Sequence, residues 1–185
     1  MRRLAFLLIL LAAPFLVAPP AAARQDDPRL KELFAELATA TSTLEAKVVE
    51  ARIWAIWTKN GDPRIDALME QAADAMSLDN TDTALAIYNE VVKRDDTFAE
   101  GFNKRATVEY MRGDYGASVA DIERTLALEP RHFGALSGLG EIYLKLNKKQ
   151  AALKAFEAAL KINPYLKGAQ EHVKDLKDEL EGNPT

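Results

Sequence analysis

Apolar residues return every third or fourth position along most of this chain, the period of a helix that buries one face. Leu30, Leu33, Phe34 and Leu37 make the first such stripe, opened by Asp27 as cap and Pro28 as first helical residue. Ser42 and Glu45 then stand at capping-box spacing ahead of "LEAKVVEARIWAIW", which becomes apolar on most sides and is predicted to be sandwiched. Near the other end, Leu166, Ala169, Val173, Leu176 and Leu180 lay one apolar face along an otherwise charged helix. The pattern predicts an all-α chain.

Between these flanks the pattern repeats in three contiguous windows of equal length, 65–98, 99–132 and 133–166. In the first helix of each window the fourth position is Leu68, Phe102 and Leu136, and the eighth is Ala72, Ala106 and Gly140. In the second helix the small position is Ala84, Ser118 and Ala152, followed by Tyr88, Ile122 and Phe156, then Val91, Thr125 and Ala159. Small residues let two antiparallel helices approach, and bulky ones fill the adjoining grooves. One pair cannot cover its own apolar face, so pairs stack. Pro130 and Pro164 end the second helix of their windows. The first window has Asp96 there. It is predicted to end on Arg94-Asp95-Asp96, with Thr97 and Glu100 as a capping box for the next helix.

Large and small residues in this phase make the chain resemble the tetratricopeptide repeat family, with "FGALSGLGEIYLKLNKKQAALKAFEAALKINP" the nearest match. The resemblance implies a right-handed superhelix of antiparallel helix pairs. It divides the chain into 24–64 as an N-terminal helical pair or degenerate repeat, 65–98, 99–132 and 133–166 as repeats, and 167–185 as a capping helix and tail. Carried back one period, Phe34, Leu37 and Ala38 fit, but Glu50 occupies a small position, so the first pair is read as an irregular cap of the stack.

In this family the first helices line a concave groove, which implies a peptide-binding surface of Asp66, Met69, Met76, Glu100, Asn103, Thr107, Tyr110, Ser137, Glu141 and Leu144. Its floor is expected to be apolar and methionine-rich. Asp66, Glu100 and Glu141 form an acidic flank, favouring a partner segment with Lys or Arg near apolar residues. The Lys, Asn and Arg set with which some members grip a terminal carboxylate is missing, because Met69, Ala73, Gly134 and Gly138 stand in its places.

The start of the chain changes where this scaffold is expected to act. "MRR", the apolar run that follows and the small residues before Arg24 read as a signal peptide, residues 1–23, cleaved after Ala23. The expected location is the bacterial periplasm. An uncleaved inner-membrane anchor is the alternative, which Pro14, Pro19 and Pro20 disfavour. Cleavage removes Arg2 and Arg3 and makes the net charge more negative than −4. That charge, with no basic run, argues against nucleic acid and, after cleavage, against a membrane surface. The absence of cysteine excludes disulfides and thiolate zinc sites.

Several residues invite chemistry and have plainer readings. Arg112-Gly113-Asp114 resembles an adhesion tripeptide but falls at the turn between two helices, where Gly tolerates positive φ. Arg105, Glu109 and Asp121 suggest a catalytic cluster, yet members of the family often carry an Arg and an Asp at the positions of Arg105 and Asp121, which are read as a structural ion pair. His132 and His172 lack metal-ligand spacing, and Trp54 and Trp57 are read as core of the N-terminal cap. No metal or other cofactor is expected. The functional expectation is a non-enzymatic scaffold binding a segment of another envelope protein. A self-assembling repeat protein is the alternative, and an enzyme a distant third.

Overall fold

A computed structural model describes residues 24–182, so the signal-peptide reading and the last three residues lie outside it. The apolar stripes form helices at Arg29–Thr39 (α1), Thr43–Trp57 (α2), Pro63–Ser77 (α3), Thr81–Arg94 (α4), Ala99–Met111 (α5), Tyr115–Leu128 (α6), Phe133–Lys145 (α7), Lys149–Ile162 (α8) and Lys167–Gly182 (α9). There is no strand among the described residues. The fold is an all-α helical repeat.

Each helix pair starts at a corner built in one way. An acidic or amide side chain accepts the backbone N–H two residues on: Asp27 from Arg29 at 2.9 Å, Asp62 from Arg64 at 2.8 Å, Asp95 from Thr97 at 2.9 Å, Glu129 from Arg131 at 2.9 Å and Asn163 from Tyr165 at 3.1 Å. At three of them the arginine returns its own guanidinium to the same carboxylate: Arg29 to Asp27, Arg64 to Asp62 and Arg131 to Glu129. The capping box expected from Thr97 and Glu100 does not form. Phe98 is the residue before α5 and offers no side-chain cap. Asp95 takes the Thr97 N–H, and Glu100 turns inward.

The turn inside each repeat pair places one residue in the left-handed region, Asp79 at φ 57°, Gly113 at φ 79° and Asn147 at φ 54°. Asp114 next to it caps α6 by accepting the Ala117 N–H at 3.1 Å, while Arg112 donates to Asp82. Both charged ends of the Arg-Gly-Asp tripeptide are thus engaged within the chain.

From α3 to α9 each helix packs on the next. The small positions work as the spacing requires. A Cβ added at Gly140 would fall 2.6 Å from the Phe156 ring, so only glycine lets α7 and α8 meet here.

The first pair departs from its expected place at the head of the stack. α2 does not lie along α3 as one repeat lies on another. Its apolar side, with Val49, Ile53, Ile56 and Trp57, shares a core with α1 and with Phe133, Ile162, Tyr165 and Leu166 from the corners of later repeats. The Tyr165 hydroxyl donates to the Ala40 carbonyl at 2.5 Å, and the Asn163 amide donates to Glu50 at 3.1 Å. Trp57 stacks on His132 at 4.2 Å, and the Asn60 side chain donates to Asp95 at 2.7 Å. Along its length α2 therefore runs back from the third repeat to the first, strapped across the corners. A helix apolar on most sides has to be covered on most sides, and α1 and the corners together do that.

Candidate functional site

The first helices α3, α5 and α7 carry the predicted groove residues, and the strap divides them into a covered row and an open one. In the covered row, Asp66 accepts the Asn60 N–H at 2.7 Å, and Met69 is buried. Glu100, expected on an acidic flank, is 1% exposed. Its carboxylate receives Nε2 of His132 at 3.0 Å and the Asn103 amide at 2.9 Å, and Lys104 Nζ lies 3.3 Å away. Burial alone would push this carboxyl up; the hydrogen bond from His132 and the charges of its neighbours outweigh it and hold the group below its ordinary range.

His132 itself is fully buried, and its Nδ1 accepts the Ala135 N–H at 3.0 Å. It caps α7, anchors Glu100 and supports Trp57 at once. Lacking metal-ligand spacing, His132 shows no role in the sequence. Glu100, about one period earlier, was the available signal.

The open row holds Met76, Thr107, Tyr110, Ser137, Glu141 and Leu144, of which Thr107 is exposed and the others are half-buried. Two recesses meet at Thr107. One, of about 120 Å³, lies between α5, α6 and α7 and is walled by Ala106, Tyr110, Ile122 and Gly138, with Asn103 at its edge. The other, of about 180 Å³, lies between α3 and α5 against Ala73, Met76, Tyr88 and Lys104. Glu141 is already paired, its carboxylate 2.8 Å from Nε2 of His172 on α9. Asp66, bonded to a backbone N–H, and Glu141, 41% exposed beside His172, leave carboxylates along the groove, whereas Glu100 is enclosed and serves the fold.

Arg105 makes a two-pronged contact with Asp121, Nε to Oδ2 at 2.6 Å and Nη2 to Oδ1 at 2.7 Å, joining α5 to α6. Its remaining prong reaches Asn89 on α4 at 2.9 Å. Glu109, 4.0 Å from the Arg105 Nε, has a buried Oε2 without a hydrogen-bond partner. Burial, and then the charge of Asp121, push its carboxyl up to about 7. No group of three or more potential metal ligands occurs among the described residues.

Residues 103–166 match the tetratricopeptide repeat family model. A tetratricopeptide-repeat-containing protein of Rhizobium etli is 37% identical over 157 residues, 85% of this chain and 77% of the relative. The chain belongs to the tetratricopeptide repeat family. Among solved structures, the first tetratricopeptide domain of Spaghetti (RPAP3), bound to the HSP90 peptide SRMEEVD, superposes with a TM-score of 0.60 at 20% identity, covering 63% of this chain and 92% of that one. MamA superposes with a TM-score of 0.57 at 21% identity, over 84% of this chain and 81% of that one. At such identities the likeness is one of fold. No tetratricopeptide helix among the described residues is long and apolar enough to cross a membrane.

Proposed function

We propose that this chain is a non-enzymatic scaffold of the bacterial periplasm that binds an extended, apolar segment of another envelope protein in the open row of its groove. The observation that carries this reading is the pair of recesses meeting at Thr107, one against Tyr110 and Ile122, the other against Met76 and Tyr88. Side chains of an extended segment enter such recesses alternately, while the Thr107 and Ser137 hydroxyls hold its backbone. Tyr110 is the best anchor, since its ring is large and stiff and its hydroxyl remains wet. The export reading rests on residues 1–23 and the partner class on that export. The RPAP3 domain, solved with a peptide, supports a peptide ligand by analogy of fold.

The test combines Thr107→Arg, which obstructs both recesses from an exposed position, with Tyr110→Ala. Asn103 is left intact because it holds Glu100. A photo-crosslinking residue at Ser137 should capture one envelope protein with the native chain and lose it with the double variant, while the melting temperature stays within a few degrees. Undiminished capture by the folded double variant would move the binding surface away from this row.

A further inference from the structure

The covered row shows what it binds, because this chain supplies the ligand itself. α2 seats Trp54 and Trp57, three residues apart, on a receptor surface formed by two repeats. A Cβ at Gly134 would fall 2.7 Å from the Trp54 ring, so the missing side chain at that position is the seat of the indole. Trp54 also meets the Phe133 ring edge-on at 5.6 Å and lies 5.7 Å from the Lys104 ammonium. Trp57 stacks on His132, and Glu50, one turn before Trp54, accepts from Asn163.

The join is made like an interface rather than like one repeat on the next. Its rim is polar and partly exposed: Arg24 reaches Asp95 at 2.9 Å, Gln25 reaches the Thr97 carbonyl, and Lys59 reaches Glu70 at 3.1 Å. Within it, Trp57 Nε1 is buried without a hydrogen-bond partner, and Glu100 Oε1 has only the Lys104 ammonium, 3.3 Å away.

We infer that the corner row of repeats two and three is a binding site for an amphipathic helix presenting a carboxylate and, one turn on, two aromatic rings three residues apart, and that α2 is its resident occupant. A helix of this chemistry in a partner protein competes with α2 for the site. The residues between Trp57 and Pro63 tether α2 to the repeats, which keeps it at a millimolar-range effective concentration, so a free helix making the same contacts stays excluded. The site borders the open row, sharing Gly134 and Lys104 with its recesses, but α2 is seated without Thr107 or Tyr110.

The probe is a fluorescent peptide copying residues 43–60, titrated by anisotropy into the full chain. With the native chain it should show almost no binding. With Trp54→Ala/Trp57→Ala, which weakens the resident helix but leaves the receptor surface, binding should tighten at least tenfold, about the scale set by removing a tethered competitor. A peptide with both tryptophans replaced by alanine should bind neither protein. Thr107→Arg with Tyr110→Ala should leave the titration unchanged, which separates this inference from the open-row reading. Equal, weak binding of the native peptide to both folded chains overturns the inference. Should the tryptophan variant not fold, hydrogen exchange of the native chain decides: α1 and α2 should exchange together as one unit ahead of α5 to α8, and equal protection overturns the inference.

Discussion

Glu109 and Arg105 show how the same buried cluster acts in opposite directions on stability. Arg105 bridges three helices through Asn89 and Asp121, a role that the matched positions of an Arg and an Asp made legible. Glu109 was not legible, because whether a carboxylate ends up 12% exposed depends on neighbours that periodicity does not rank. Its carboxyl is raised from an ordinary 4.5 to about 7, so folding favours its protonated form. The stability it contributes is complete below 4.5 and is lost as pH rises towards 7, an effect on the order of 2 kcal/mol. Glu109→Gln should therefore match the native chain in urea midpoint in acid and exceed it above neutrality. A native midpoint that does not fall, relative to the variant, between acid and mildly alkaline buffer contradicts the placement of Glu109. Asp79 offers a second check at this scale, as a non-glycine residue held in the left-handed region at φ 57°. Asp79→Gly should raise stability by about 0.5–1 kcal/mol, while Gly113→Ala should lower it by a similar amount.

At the scale of helices, much of the pairing was readable and the first pair's partner was not. The alternation of bulky and small positions places α3 to α8, and Pro130 and Pro164 fall just past the ends of α6 and α8. The contact of Gly140 with Phe156 is the tightest instance. Gly140→Ala adds helix propensity of up to about 1 kcal/mol, but its Cβ meets a ring fixed between two helices, and overpacking of this kind costs about 1–3 kcal/mol. A net loss in thermal stability is expected, with a gain showing that α7 and α8 separate easily. For α2 the wheel shows a helix that must be covered on most sides, without saying by what. Two features of the chain carried the answer in disguise. "DPR" at 27–29 and 62–64 and "EPR" at 129–131 mark the same corner, which shows that the first pair starts like a repeat. Gly134, lacking a side chain beside Phe133, marks where a foreign ring enters. Neither reveals the match with Trp54 before the chain is folded, because helical periodicity reports a buried face and not its distant partner.

Over the described residues, the solenoid is a row of neighbours, and the first pair, through the strap, ties distant repeats together. Both tryptophans of the chain sit in it. Their emission therefore follows strap docking, while far-ultraviolet circular dichroism follows all the helices. In a thermal scan the emission midpoint should lie below the dichroism midpoint, since the strap leaves a stack that remains packed between its own neighbours. Coincident midpoints would mean that strap and stack melt as one unit. The strap also sets an order of events in the making of the protein. The chain grows from its N-terminus, so α2 is complete long before Phe133, His132 and Asn163 have been synthesised. Repeats close through near contacts, whereas Glu50 must wait for a partner more than a hundred residues downstream. A helix made early is thus the last to be housed, and in the interval its two indoles lack His132, Phe133 and Gly134, which seat them. That interval is when a chaperone has the most to shield.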